Sequence, residues 1–314
     1  MGRMVDGVWH SEEVMEMDQR GAWVRPETRF RNRLNSDGFA AEAGRYHLYV
    51  ALNCPWAHRT IIYRKLKGLE DVVSLSFVLP RRTEEGWVFD PDDEAYRDPL
   101  SGKRALHEVY SQADPDFSGR VTVPVLWDRQ RGTIVNNESA EIIRMLDSAF
   151  AGIADETPEL CPEALRPEID AINERTYATI NNGVYRAGFA RSQTAYDEAF
   201  AEVFATLDWL EARLSERRYL LGDQATEADW RLFPTLVRFD VAYHGAFKCN
   251  LRRLIDYPNL WPYTRDLYQT PGISETVDLE TYKRGYYSPS LQQNPSGIVP
   301  LGPVIDFSFP HDRG

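Results

Sequence analysis

The stretch His47-Leu-Tyr-Val-Ala-Leu-Asn-Cys54-Pro55-Trp56-Ala57-His58-Arg59-Thr-Ile-Ile-Tyr63 holds two apolar runs divided by a Cys-Pro step. The first run predicts a buried strand over 46–52. The second predicts a helix beginning at Pro55, because proline suits the first helical position, where an N–H would have no partner anyway. Cys54 then sits at the helix N-cap, facing the N–H groups of Trp56 and Ala57. A thiolate there gains from those donors and from the positive end of the helix dipole, so its pKa is expected to fall. Ala57 occupies the place of the second cysteine in a Cys-x-x-Cys dithiol. Such a site attacks sulfur without a resolving partner next door. Most lone cysteines are inert core residues; here the proline, the helix start and the missing second thiol together point to a nucleophile.

Working outward, 314 residues suffice for two domains with separate cores. The net charge of −12 and the absence of a basic block argue against nucleic acid. No apolar run approaches the ~18 residues of a membrane span. The first 25 residues contain no apolar leader core, so export is not expected. Cys54, Cys161 and Cys249 are too few and too scattered for a disulfide framework. The expected compartment is the cytoplasm.

Residues 1–45 are polar with isolated aromatics and read as an arm. The helix is expected to reach about 67, and a second strand to cover 72–79, which completes a βαβ crossover. Residues 80–119, charged and carrying four prolines, read as an inserted loop; Trp87 within it is a staple or a pocket wall. Order returns at 119–128, where Pro124 stands at the start of a strand. A cis Val123–Pro124 bond would offer the backbone of Val123 to an extended peptide. After a hairpin near 130–132, Asn136-Asn-Glu138-Ser139 opens a helix. Its N–H groups form an anion site, or Glu138 and Ser139 simply cap it. Residues 150–160 read as a linker, 161–287 as an all-helical domain, and 288–314, rich in Pro, Gly and Ser, as a tail.

The βαβ half, the Val-Pro strand and the helical second half follow the order of the glutathione transferase fold, a thioredoxin-like domain joined to an all-α domain. Asn53-Cys-Pro-Trp-Ala-His-Arg59, Arg120-Val-Thr-Val-Pro-Val-Leu-Trp-Asp128, Asn136-Asn-Glu-Ser-Ala-Glu-Ile-Ile-Arg144, Asn181-Asn-Gly-Val-Tyr-Arg-Ala-Gly-Phe-Ala190 and Asn294-Pro-Ser-Gly-Ile-Val-Pro-Leu-Gly-Pro303 closely resemble the glutathionyl-hydroquinone reductases, the Xi class of these transferases. The resemblance runs from about residue 20 to 304. It implies Cys54 as nucleophile and Trp87, Arg120, Val123, Glu138 and Ser139 as the glutathione site. It further implies Tyr185 and Tyr286 at the aromatic substrate, and a homodimer. Glutathione would be the co-substrate, with no metal. Three places depart from the family pattern: Leu79-Pro80 for a His-Pro pair, Gly285 for the histidine before Tyr286, and Pro289-Ser290 for Ser-His.

The implied reaction removes glutathione from a glutathionyl-hydroquinone. Cys54 takes the glutathionyl sulfur, and a second glutathione releases oxidised glutathione. The ring must first ketonise, so that its electrons end on a phenolic oxygen; one positioned acid contributes roughly 10²–10⁴-fold to such a step. The alternatives are an Omega-like thioltransferase or dehydroascorbate reductase, and a non-catalytic carrier of quinols or glutathione conjugates. Conventional conjugation suits a hydroxyl donor rather than a cysteine. Zinc lacks a third ligand beside His47 and His58.

Overall fold

The computed structural model describes residues 2–12, 15–36, 38–154, 157–290 and 293–313. They form two units, Met1–Met15 with Pro26–Glu159 and Glu16–Arg25 with Leu160–Gly314. The opening arm is therefore not one piece, since residues 16–25 belong to the second unit. Nor is it without regular structure. In the first unit β1 (Arg3–Val5) pairs antiparallel with β2 (Val8–His10). The turn between them is Asp6-Gly7, with φ of 46° and 75°, the left-handed pair that a tight hairpin requires.

The sheet of the first unit contains β3 (Tyr46–Val50), β4 (Val73–Phe77), β5 (Val125–Asp128) and β6 (Thr133–Asn136), in the order β4-β3-β5-β6. All five residues of β3 are buried, as a continuous apolar run in a central strand should be. Strand β4 runs parallel to it, and β5 antiparallel on its other side. The crossover helix α1 (Pro55–Leu66) ends at Lys67. There Gly68 takes a φ of +60°, and the N–H groups of Gly68 and Leu69 bond the carbonyls of Lys65 and Arg64, a Schellman stop.

The expected loop over 80–119 is corrected by α2 (Leu106–Ala113), which buries Leu106, Val109 and Tyr110. Before it, the Asp98 carboxylate accepts the N–H groups of Leu100, Ser101 and Lys103 and the hydroxyls of Ser101 and Tyr49. One buried carboxylate thus orders a proline-rich segment that hydrophobic periodicity could not. Helix α3 (Ser139–Ser148) closes the unit and buries Ile142, Ile143 and Leu146.

The second unit is helical: α4 (Arg166–Thr176), α5 (Gly183–Phe189), α6 (Gln193–Leu214), α7 (Glu227–Leu236), the short α8 (His244–Ala246), α9 (Leu260–Gln269) and α10 (Leu279–Tyr286). Single π turns, Tyr177–Asn181 and Phe239–Tyr243, precede α5 and α8. Residues 155 and 156 of the expected linker, and 291, 292 and 314 of the expected tail, lie outside the described residues. Within the tail, Phe307 is buried and packs on Trp261 and Tyr268.

Candidate active site

Cys54 is the N-cap residue of α1, with extended backbone (φ −82°, ψ 119°) and Pro55 behind it. Its carbonyl accepts the His58 N–H at 2.9 Å, the first turn of the helix. The thiol is partly exposed, and Sγ stands 3.7 Å from the carbonyl oxygen of Val123. The Val123–Pro124 bond is cis. One expected nucleophile and one expected backbone contact are thus adjacent.

The start of α3 is joined to this helix by Arg59. Its guanidinium is buried, lies over the Trp56 ring at 4.6 Å and reaches the Ser139 hydroxyl at 3.5 Å. Glu138 is the N-cap of α3, and its carboxylate accepts the Ala140 N–H at 3.1 Å. The capping reading therefore holds for Glu138. For Ser139 it does not, because this residue sits inside the helix with its hydroxyl toward Arg59. A helix N-terminus favours a ligand's carboxylate, and an acidic N-cap side chain beside it attracts an ammonium group on the same ligand.

Trp87 is buried. Its carbonyl takes the Leu106 N–H at the start of α2, and the Arg82 guanidinium lies 5.4 Å from its ring. Arg120 is partly exposed on the segment that leads to Val123.

In the second unit the Tyr185 and Tyr286 hydroxyls are 2.6 Å apart. Tyr286 also shares a 3.0 Å hydrogen bond with Tyr243, which sequence reasoning missed. Tyr185 comes from α5, Tyr243 from the second π turn and Tyr286 from α10. Phe247 touches all three rings. Burial pushes Tyr286 and Tyr243 well above the usual phenol value, and Tyr185 adds to the rise in both. Both are neutral acids at physiological pH. Tyr185 and Tyr286 are partly exposed whereas Tyr243 is buried.

Cys161 and Cys249 are buried, and none of the three cysteines is in a disulfide. Burial pushes the Cys249 thiol up to about 12. Among the described residues no cluster of three His, Cys, Asp or Glu could hold a metal ion, and no helix is long and apolar enough to cross a membrane.

Residues 53–149 match the glutathione S-transferase N-terminal domain and residues 193–266 its C-terminal domain. The chain is 50% identical over 304 residues to the glutathionyl-hydroquinone reductase PcpF of Sphingobium chlorophenolicum, covering 97% of each. It is 50% identical over 323 residues to the glutathionyl-hydroquinone reductase YqjG of Escherichia coli K12, covering 100% of this chain and 98% of that one. The glutathione-bound structure of YqjG, a glutathione transferase homolog, superimposes with a TM-score of 0.91 over 99% of both chains at 48% identity. A Xi class transferase from Natrialba magadii superimposes with a TM-score of 0.92 at 50% identity, covering 100% of this chain and 96% of that one.

Proposed function

The chain belongs to the glutathionyl-hydroquinone reductases, Xi-class members of the glutathione transferase fold, and from that premise we propose how its own residues run the reaction. The enzyme removes glutathione from glutathionyl-hydroquinones. The observation that carries the residue assignment is Cys54, a monothiol at a helix N-cap with Sγ beside the Val123 carbonyl.

In this reading Val123 pairs through its backbone with the extended tripeptide, and Arg120 and Trp87 border it. The Glu138 carboxylate takes the γ-glutamyl ammonium, while the Ser139 N–H and hydroxyl take its carboxylate. The phenol chain handles the aromatic ring. It gives a proton to the ring carbon that bears sulfur and receives the substrate's phenolic proton, so the ring becomes a neutral ketone. The Cys54 thiolate then attacks the glutathionyl sulfur. An S–S bond forms, the C–S bond breaks, and its electron pair returns to the carbonyl oxygen as the ring regains aromaticity. That phenolate takes one proton from solvent. Cys54 has been oxidised to a mixed disulfide and the ring carbon reduced. A second glutathione attacks the mixed disulfide, releases oxidised glutathione and restores Cys54. Ala57 offers no internal thiol for that step, so the resolving thiol comes from outside. A homodimer in the cytoplasm completes the proposal; light scattering reads the oligomer.

The test is Cys54→Ala assayed on a glutathionyl-hydroquinone, beside intact mass of the wild type after incubation with that substrate alone. Loss of turnover, with a one-glutathione adduct on wild type only, is expected. Retained turnover in the variant overturns the assignment. Cys54→Ser is also expected to be inactive, because an alkoxide is not available at neutral pH. Faster turnover of dehydroascorbate or of small mixed disulfides would move the enzyme to the Omega-like reading.

A further inference from the structure

Arg238 has no solvent exposure, which is costly for a guanidinium unless its surroundings compensate the charge. It follows α7 directly and enters the π turn that carries Tyr243. One Nη donates to the carbonyl of Pro234 at 2.8 Å. The guanidinium carbon lies 3.7 Å from the centroid of Tyr282 on α10, one turn before Tyr286. Its charge acts on Tyr282, Tyr286, Tyr243 and Tyr185 together. Burial opposes that charge, whereas its attraction for each of the four phenols in ionised form favours it. Reciprocally, Arg238 eases the ionisation of Tyr286 and Tyr243 against the burial that opposes it.

We propose that Arg238 is a positioning residue of the reduction: a buried cation that stabilises the phenol chain while it has given a proton to the substrate. This rests on the phenol chain acting as the acid, as set out above. When one O–H of the chain breaks and a C–H forms on the ring, the chain holds one negative charge until the substrate's phenolic proton returns. Tyr286 stands in the middle and accepts from both neighbours in that state. The remaining charge needs a partner that does not itself take the proton. A guanidinium meets that need, because it stays protonated. Preorganised charge in a water-poor site contributes most where charge develops during the reaction. The arginine touches no reacting atom and acts through the tyrosines.

The test compares Arg238→Gln, which keeps a donor for the Pro234 carbonyl but loses the charge, with Arg238→Lys, which keeps the charge. Capture of glutathione by Cys54 from oxidised glutathione, read by intact mass, involves no aromatic ring and reports folding. The Gln variant is expected to lose about tenfold to a hundredfold in kcat on a glutathionyl-hydroquinone, with little change in KM. Its solvent deuterium isotope effect is expected to grow, because proton donation becomes slower. The Lys variant is expected to recover most of the rate with a wild-type isotope effect. Wild-type kcat in the Gln variant overturns the proposal, as do equal losses in both variants with an unchanged isotope effect, which mark a packing role. If the Gln variant does not capture glutathione, the isotope effect of the Lys variant decides: equal to wild type supports the proposal, altered overturns it. Absence of turnover in the wild type would instead sink the functional reading on which the proposal rests.

Discussion

The phenolic oxygens of Tyr185 and Tyr286 stand 2.6 Å apart, although 101 residues separate them in the chain. At that distance they share one proton, and with Tyr243 they form a unit in which removal of any member rearranges the others. Tyr185→Phe and Tyr286→Phe are each expected to lower kcat on a glutathionyl-hydroquinone by roughly 10²–10⁴-fold. The double variant should lose less than the product of the two, because both remove the same chain. Steady-state kinetics of the four proteins checks this; strictly multiplicative losses would mean that the phenols act separately.

Glu138→Gln removes a charge from the N-cap of α3 while it retains an acceptor for the Ala140 N–H. Stability should fall by less than about 1 kcal/mol. KM for glutathione should rise about tenfold, because the ammonium group loses its counter-ion. Kinetics at varied glutathione reads the second effect, and an unchanged KM would remove Glu138 from the site.

Gly188 on α5 lies against Phe247; a Cβ there would meet the Phe247 ring at 2.3 Å. Phe247 packs on Tyr185, Tyr243 and Tyr286, so the displaced ring is driven toward the phenol chain. Gly188→Ala is expected to cost about 1–3 kcal/mol and to reduce turnover of the aromatic substrate. Chemical denaturation and kinetics measure the two effects; a variant with wild-type values of both would contradict the packing.

His47 on β3 is buried, with its ring nitrogens 2.8 Å from the hydroxyls of Ser74 and Ser76. Burial brings its pKa from 6.5 down to about 4, so the folded state holds it neutral where an unfolded chain would take up a proton. Stability is full above about 6.5 and falls as pH drops toward about 4, by on the order of 3 kcal/mol across that window. The denaturation midpoint of the wild type should decline more steeply between these limits than that of His47→Gln. Parallel declines would show that other groups carry the acid sensitivity.

The elements legible in the sequence were those with a strong local cause. The buried run of β3, the proline behind Cys54 and the apolar spacing of α3 each announce their own structure. Helix α2 was missed because eight residues with three buried positions barely fill two turns, and because Asp98, a polar organiser, leaves no periodic trace. The β1–β2 hairpin was signalled by Asp6-Gly7 between apolar pairs, a cue too short to stand out in a polar arm. The passage of residues 16–25 to the helical unit depends on long-range packing, Trp23 against Tyr185 and Phe189, which no local pattern encodes. Tyr243 and Arg238 escaped for a related reason: one sits in an aromatic-rich stretch that reads as core, and the other is a charge where charge is not expected.

The burial of Cys161 and Cys249 has a practical consequence. A thiol-directed alkylating reagent offered to the native protein at neutral pH should take up one equivalent per chain, and three once the chain is denatured. The ratio of the two numbers is an internal gauge of intact enzyme in any preparation, obtained without substrate, and blocking of the first equivalent by glutathione disulfide counts competent sites directly.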